Sequence, residues 1–176
     1  YDLKPLVLLV EFSDVSGTED VSGIVSGFET YYEEQSLGNF IIDSDIVSNW
    51  YNLAKTMGYY GGNYESNVPY MIEDAVRAAD ADVDFSEYDG DGDGVVDCLI
   101  VIHAGEPDES GGGNGDEIWS HYYTVNVEAD GVRVIDYMTV SEESPVGILA
   151  HEFGHYLGLP DLYDTDSSDG DSHGVG

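Results

Sequence analysis

Apolar residues run without a break through residues 6–12 (LVLLVEF) and again through residues 98–103 (CLIVIH). Short uninterrupted runs bounded by polar turns predict strands buried on both faces, in the interior of a sheet. Residues 21–35 follow another period. Ile24, Phe28, Tyr31 and Tyr32 recur at helical spacing, and Ser36-Leu37-Gly38 supplies a stop. Residues 40–47 read as a strand, and the aromatic stretch 50–64, broken by Gly58, Gly61 and Gly62, reads mostly as loop. A second amphipathic helix is expected over residues 69–82. Pro69 is allowed in its first turn, and Met71, Ile72, Ala75, Val76 and Ala79 lie on one face. Residues 106–117, acidic and glycine-rich, predict a surface loop. Residues 118–127 and 132–140 predict two more strands joined by a turn at Ala129-Asp130-Gly131. With no internal repeat and no linker, the pattern describes one α/β domain over residues 1–176.

The last helix changes the picture from fold to chemistry. Residues 147–164 read GILAHEFGHYLGLPDLYD. A helix advances about 100° per residue, so His151 and His155 return to nearly the same face and can reach one cation. Two imidazoles plus one further ligand imply Zn²⁺. Glu152 is placed to hold and deprotonate a metal-bound water. Gly158 suits a helix end because it adopts positive φ without a Cβ clash, and Pro160 cannot continue a helix. The chain can then reverse and return Asp161 as third ligand, with Asp164 its main rival. The extended HExxHxxGxxD pattern is metzincin-like, with Asp where the commoner form has His.

A second metal signal lies in residues 88–97, YDGDGDGVVD. Asp89, Asp91 and Asp93 stand at positions 1, 3 and 5 of a calcium loop, with Gly94 at the sharp turn, Val95 offering its carbonyl and Asp97 at position 9. Position 12 falls on Ile100, so the loop is not a full EF-hand. A calcium ion there would pin the connection into the following strand and offset local negative charge. A third acidic group, Asp161, Asp164, Asp166, Asp169 and Asp171, follows the helix; its last three members could hold another calcium ion but read better as solvated loop. His103, His121 and His173 are not assigned to metal, though His121 and Tyr163 are possible oxyanion stabilisers. Cys98 reads as a buried thiol.

Charge narrows the partners. The chain has 37 acidic residues against four basic ones, a net −33. Nucleic acid and anionic membrane surfaces are poor partners for such a surface. Self-repulsion on this scale calls for bound divalent cations or high salt, since at about 1 M salt the Debye length falls to about 3 Å. An acidic surface of halophilic kind fits. No apolar run approaches the roughly 20 residues of a membrane span. The chain opens at Tyr1 without Met and stops inside a Gly/Ser/Asp run, so both ends read as cut from a longer precursor.

The order of these pieces resembles the immune inhibitor A-type family of secreted metallopeptidases. The residues that carry it are LVLLVEFSD (6–14), FETYYEEQSLGNF (28–40), VDFSEYDGDGDGVVDCLIVIHAG (83–105), IWSH (118–121) and GILAHEFGHYLGLPDLYDTD (147–166). The resemblance implies a metzincin-like catalytic domain, a twisted mixed β-sheet with a backing helix and an active-site helix. It also implies export as a proenzyme with a propeptide, protein or peptide substrates, and frequent calcium sites. Carried over, His151, His155 and Asp161 become zinc ligands and Glu152 the catalytic base. The family pattern continues toward a Met-containing turn beneath the zinc, beyond Gly176. The expected activity is zinc-dependent endopeptidase. Its rivals are a non-catalytic calcium-stabilised extracellular module with a relic zinc site, and a zinc hydrolase of non-peptide substrates.

Overall fold

The computed structural model describes residues 2–62, 67–110 and 115–161. Five strands form the main sheet in the order β4-β2-β5-β7-β6: β2 (Leu6–Glu11), β4 (Asp45–Asn52), β5 (Leu99–His103), β6 (His121–Ala129) and β7 (Val132–Ser141). Neighbours are parallel except β6, which runs antiparallel to β7 at one edge. Two short strands, β1 (Asp2–Leu3) and β3 (Ile41–Ile42), pair beside it. The apolar runs at β2 and β5 are central strands, because successive side chains enter opposite faces and both faces are covered.

On one face Leu6, Leu8 and Val10 pack with Met71, Ile72, Ala75, Val76 and Ala79 of α3 (Val68–Ala79), and with Tyr60 of α2 (Met57–Gly61). On the other, Val7, Leu9, Ile100, Ile102, Met138 and Val140 pack with α1 (Ser22–Gln35) and α4 (Val146–Tyr156). The sheet is therefore mixed, with two helices side by side on the face that carries the HExxH segment. Cys98 is buried, as its apolar surroundings imply. Among the described residues no helix is long and apolar enough to cross a membrane.

Two expectations need correction. Residues 40–47 are not one strand: β3 stops at Ile42, and β4 runs from Asp45 to Asn52, into the stretch expected as loop. Ser48 and Asn49 hide β4 from a periodicity reading, since an edge strand faces water and its pairing with β2 does not depend on side-chain character. Trp50 is held by tertiary contact instead, its indole lying where a Cβ on Gly17 would stand. The loop reading of 50–64 also missed α2, whose Thr56 cap accepts the Tyr59 N–H at 3.2 Å. The β6–β7 turn is tighter than expected, with only Asp130 (φ 49°) and Gly131 (φ 83°) between the strands. Two positive φ values in succession are the hairpin geometry that matches strand twist.

Glu142 locks the entry to α4. It is buried, and its carboxylate accepts the N–H groups of Thr18 (2.8 Å), Glu19 (2.6 Å) and Gly105 (3.0 Å). One side chain thus joins the end of β7 to the connections after β2 and β5. Glu142→Ala leaves these donors without their acceptor. It should lower the unfolding free energy by roughly 2–3 kcal/mol, because the donors are only part-buried and water replaces much of a set of charge-assisted bonds worth about 1.5–3 kcal/mol each. Guanidinium unfolding reads this directly, and an unshifted midpoint would contradict it.

Candidate active site

Helix α4 is seated first by packing. Phe153 is fully buried, edge-on to Phe28 and Tyr32 of α1 with ring centroids 5.0 and 4.8 Å away. Close approach of α1 depends on Gly27, where a Cβ would come within 2.7 Å of Val146 Cγ2. The Tyr32 hydroxyl then donates to the Ala150 carbonyl at 2.7 Å, one residue ahead of His151.

The helix ends in a reversal. Gly158 has φ 88°; its N–H donates to His155 O at 2.8 Å, and the Leu159 N–H donates to Gly154 O at 2.9 Å. This paired closure with a left-handed glycine is the Schellman motif. It carries the chain back so that Asp161 Oδ1 lies 3.3 Å from His151 Nε2 and 3.2 Å from His155 Nε2. The two imidazole nitrogens are themselves 3.1 Å apart.

These distances have a chemical meaning. His155 Nδ1 lies 2.9 Å from Leu159 O, a carbonyl that can only accept, so Nδ1 carries the proton and Nε2 presents its lone pair inward. Asp161 Oδ1 is buried and, among the described residues, makes no hydrogen bond and faces the two imidazole nitrogens. Lone pairs thus converge on one point, and a proton on His151 Nε2 would relieve a single contact. A tetrahedral cation with bonds of about 2.0–2.1 Å separates its ligands by about 3.3 Å, which is the spacing found. The donor set fits a divalent metal.

Glu152 lies beside this triad but is held by the sheet. It is buried, and its Oε2 accepts the Tyr122 N–H of β6 at 2.8 Å. Burial pushes its carboxyl up to about 7, with Asp161 and Glu109 adding to the rise and the Tyr122 N–H and His155 opposing it. A cation at the triad favours the carboxylate form. A groove of about 470 Å³ opens beside His151 and His155, walled by Tyr31, Tyr32, Ala150 and Leu159.

The other expected residues fall into three groups. In the Asp-rich loop, carboxylate oxygens of Asp89, Asp91 and Asp97 lie within 4.8 Å of one another. Asp93 lies outside this group, and its Oδ1 accepts the Val95 N–H at 2.8 Å. Val95 itself pairs with Arg133 in an isolated bridge. Burial, then the charges of Asp91, Asp89 and Asp93, raise the Asp97 carboxyl above its ordinary value against the lowering bond from Gly90 N–H.

His121 does not serve the triad. Its Nδ1 donates to Trp119 O at 2.8 Å and its Nε2 accepts from Tyr137 OH at 2.9 Å, and Tyr137 belongs to the core on the opposite face of the sheet. His103 is fully buried, and burial pushes its imidazole down to about 4, so it is neutral and structural. Tyr163, Asp164, Asp166, Asp169, Asp171 and His173 lie outside the described residues. Sequence reasoning missed Tyr32, Tyr122 and Tyr156 as supports of the helix. Tyr122 acts through its backbone, for which no residue-type signal exists.

Residues 10–175 match the family described as immune inhibitor A peptidase M6, catalytic domain. Immune inhibitor A of Bacillus thuringiensis subsp. alesti is 37% identical over 186 residues, covering 84% of this chain and 27% of that protein. The pre-pro-metalloprotease PrtV of Vibrio cholerae serotype O1 (strain M66-2) is 33% identical over 190 residues, covering 88% of this chain and 21% of its own. The chain spans about a quarter of the length of these relatives. A match over nearly the whole chain, together with relatives above 30% identity, shows that it belongs to the immune inhibitor A M6 peptidase family as a metallopeptidase catalytic domain.

Proposed function

We propose that this domain is a zinc-dependent endopeptidase of metzincin-like type, with His151, His155 and Asp161 as ligands and Glu152 as general base. The observation that carries it is the buried Asp161 Oδ1, which among the described residues faces two imidazole nitrogens at 3.2–3.3 Å. Zinc, when bound, polarises the scissile carbonyl and makes water a nucleophile near neutral pH. The protein's part is positional. With Oε2 engaged by Tyr122 N–H, Glu152 uses Oε1 to take the proton of the attacking water and pass it to the leaving amine. Tyr122 also belongs to the edge strand β6, so an extended peptide that pairs along that edge would run beside the base. This favours peptide over other hydrolysable substrates. A relic site in a non-catalytic module has no need for a base hydrogen-bonded into place beside the ligands.

Protein substrates, a propeptide and export belong to the same reading. They are supported by the pre-pro-metalloprotease PrtV among the relatives. Calcium is proposed for the Asp-rich loop, with Asp89, Asp91, Asp93 and Asp97 as carboxylate ligands and Val95 offering its carbonyl. Support comes from the clustering of the Asp89, Asp91 and Asp97 carboxylates and from the raised Asp97 carboxyl, since crowded negative charge is relieved by a cation.

Glu152→Gln should lower casein cleavage by about 10²–10⁴-fold, the usual contribution of a general base, while zinc stays bound. Retained cleavage would remove the base assignment. In metal analysis Asp161→Ala should lose zinc and Asp164→Ala should keep it; full occupancy in the first would transfer the ligand role. Calcium at 100 times its dissociation constant contributes about 2.7 kcal/mol, so the melting temperature should rise by roughly 5–10 °C in calorimetry. Asp91→Asn should abolish the rise, and a calcium-independent melting temperature in the unmodified protein would refute the loop site.

A further inference from the structure

Tyr156 is the last residue of α4 and directly follows His155. Its ring packs on Phe153 at 5.2 Å between centroids and edge-on to Tyr122 at 6.4 Å. Its hydroxyl leaves the helix altogether and donates to the Asp97 carbonyl at 2.6 Å. Asp97 closes the Asp-rich loop and engages it from two sides. Its N–H donates to Tyr88 O at 2.8 Å, and its Oδ2 accepts the Gly90 N–H at 3.0 Å. The loop takes its shape from Asp89, whose carboxylate accepts the N–H groups of Gly92 (2.9 Å), Asp93 (3.0 Å) and Gly94 (3.0 Å). A single residue, Asp97, thus has its side chain in the loop and its carbonyl on the metal-ligand helix.

The position of this tie matters. The last turn of a helix has carbonyls without intrahelical partners and is the part that frays. Here that turn carries His155 and the reversal leading to Asp161. A hydroxyl tether at the next residue restrains the turn against a point outside the helix, where the Asp-rich loop passes into β5.

We propose that Tyr156 is a positioning residue that couples the Asp-rich loop to the metal site through Asp97, so that ordering of the loop sets how firmly His155 and Asp161 hold the metal. The coupling rests on the zinc reading of the triad and requires no cation in the loop.

The test times zinc release to excess chelator from the protein loaded with one zinc, in the unmodified chain, Tyr156→Phe, Asp89→Ala and the double variant. Visible absorption of the Co²⁺-substituted forms reports the ligand geometry. Each single variant should release zinc about five-fold faster, the worth of one hydrogen bond, and shift the Co²⁺ bands. The double variant should release it no faster than Tyr156→Phe, because both changes cut one path. Tyr60→Phe loses a 2.7 Å bond to Asp74 on the opposite face and should leave release unchanged. The coupling is overturned by unaltered release and spectra in Tyr156→Phe, by additive effects in the double variant, or by equal acceleration in Tyr60→Phe. Should Tyr156→Phe not fold, Asp89→Ala alone decides, and unchanged release overturns the proposal. Unmodified protein that binds no zinc defeats the zinc reading itself, whereas bound zinc with unmoved release rates defeats only the coupling.

Discussion

His151, His155 and Asp161 lie 3.1–3.3 Å from one another because the surrounding chain places them there. The holding device is the reversal at Gly158. It ends α4 just after His155, spends the otherwise unpaired carbonyls of Gly154 and His155, and turns Leu159 O onto His155 Nδ1. That last bond also selects the tautomer that points the other nitrogen inward. Any residue with a Cβ at Gly158 would strain this left-handed position.

The helix that carries the ligands is itself fastened on several sides. Phe153 provides the apolar anchor, with burial of such a side chain contributing about 1.5–3 kcal/mol. Around it, polar ties act at separate points: Tyr32 on Ala150 O, Tyr122 N–H on Glu152, and Tyr156 on Asp97 O. Packing alone would allow the helix to slide or rotate slightly, because apolar contact is non-directional. Hydrogen bonds to three different elements remove that freedom. The site therefore draws on α1, the edge strand and the Asp-rich loop, as well as on the motif that names its ligands.

The ligand pattern and the central strands were legible in the sequence because both depend on local periodicity. His151 and His155 share a helix face by geometry alone, and β2 and β5 are apolar at every position but their last because both sheet faces are covered. Elements whose stability is borrowed were not legible. The polar edge strand β4 exists because β2 offers it hydrogen bonds, and α2 is too short to show a period.

The sequence by itself determined the helix with its imidazole pair and base, the glycine that ends it, the acidic loop, and an extreme negative charge, because each follows from residue type and spacing. Tertiary structure alone decided that Asp161 Oδ1 would be buried against the two imidazoles, that His121 would face the far side of the sheet, and that Glu152 would be held by a backbone N–H of β6. Those outcomes depend on which face of a sheet a residue enters and which distant segment lies opposite. The chain settles such matters only when its elements pack, since backbone donors carry no signature in the side-chain sequence.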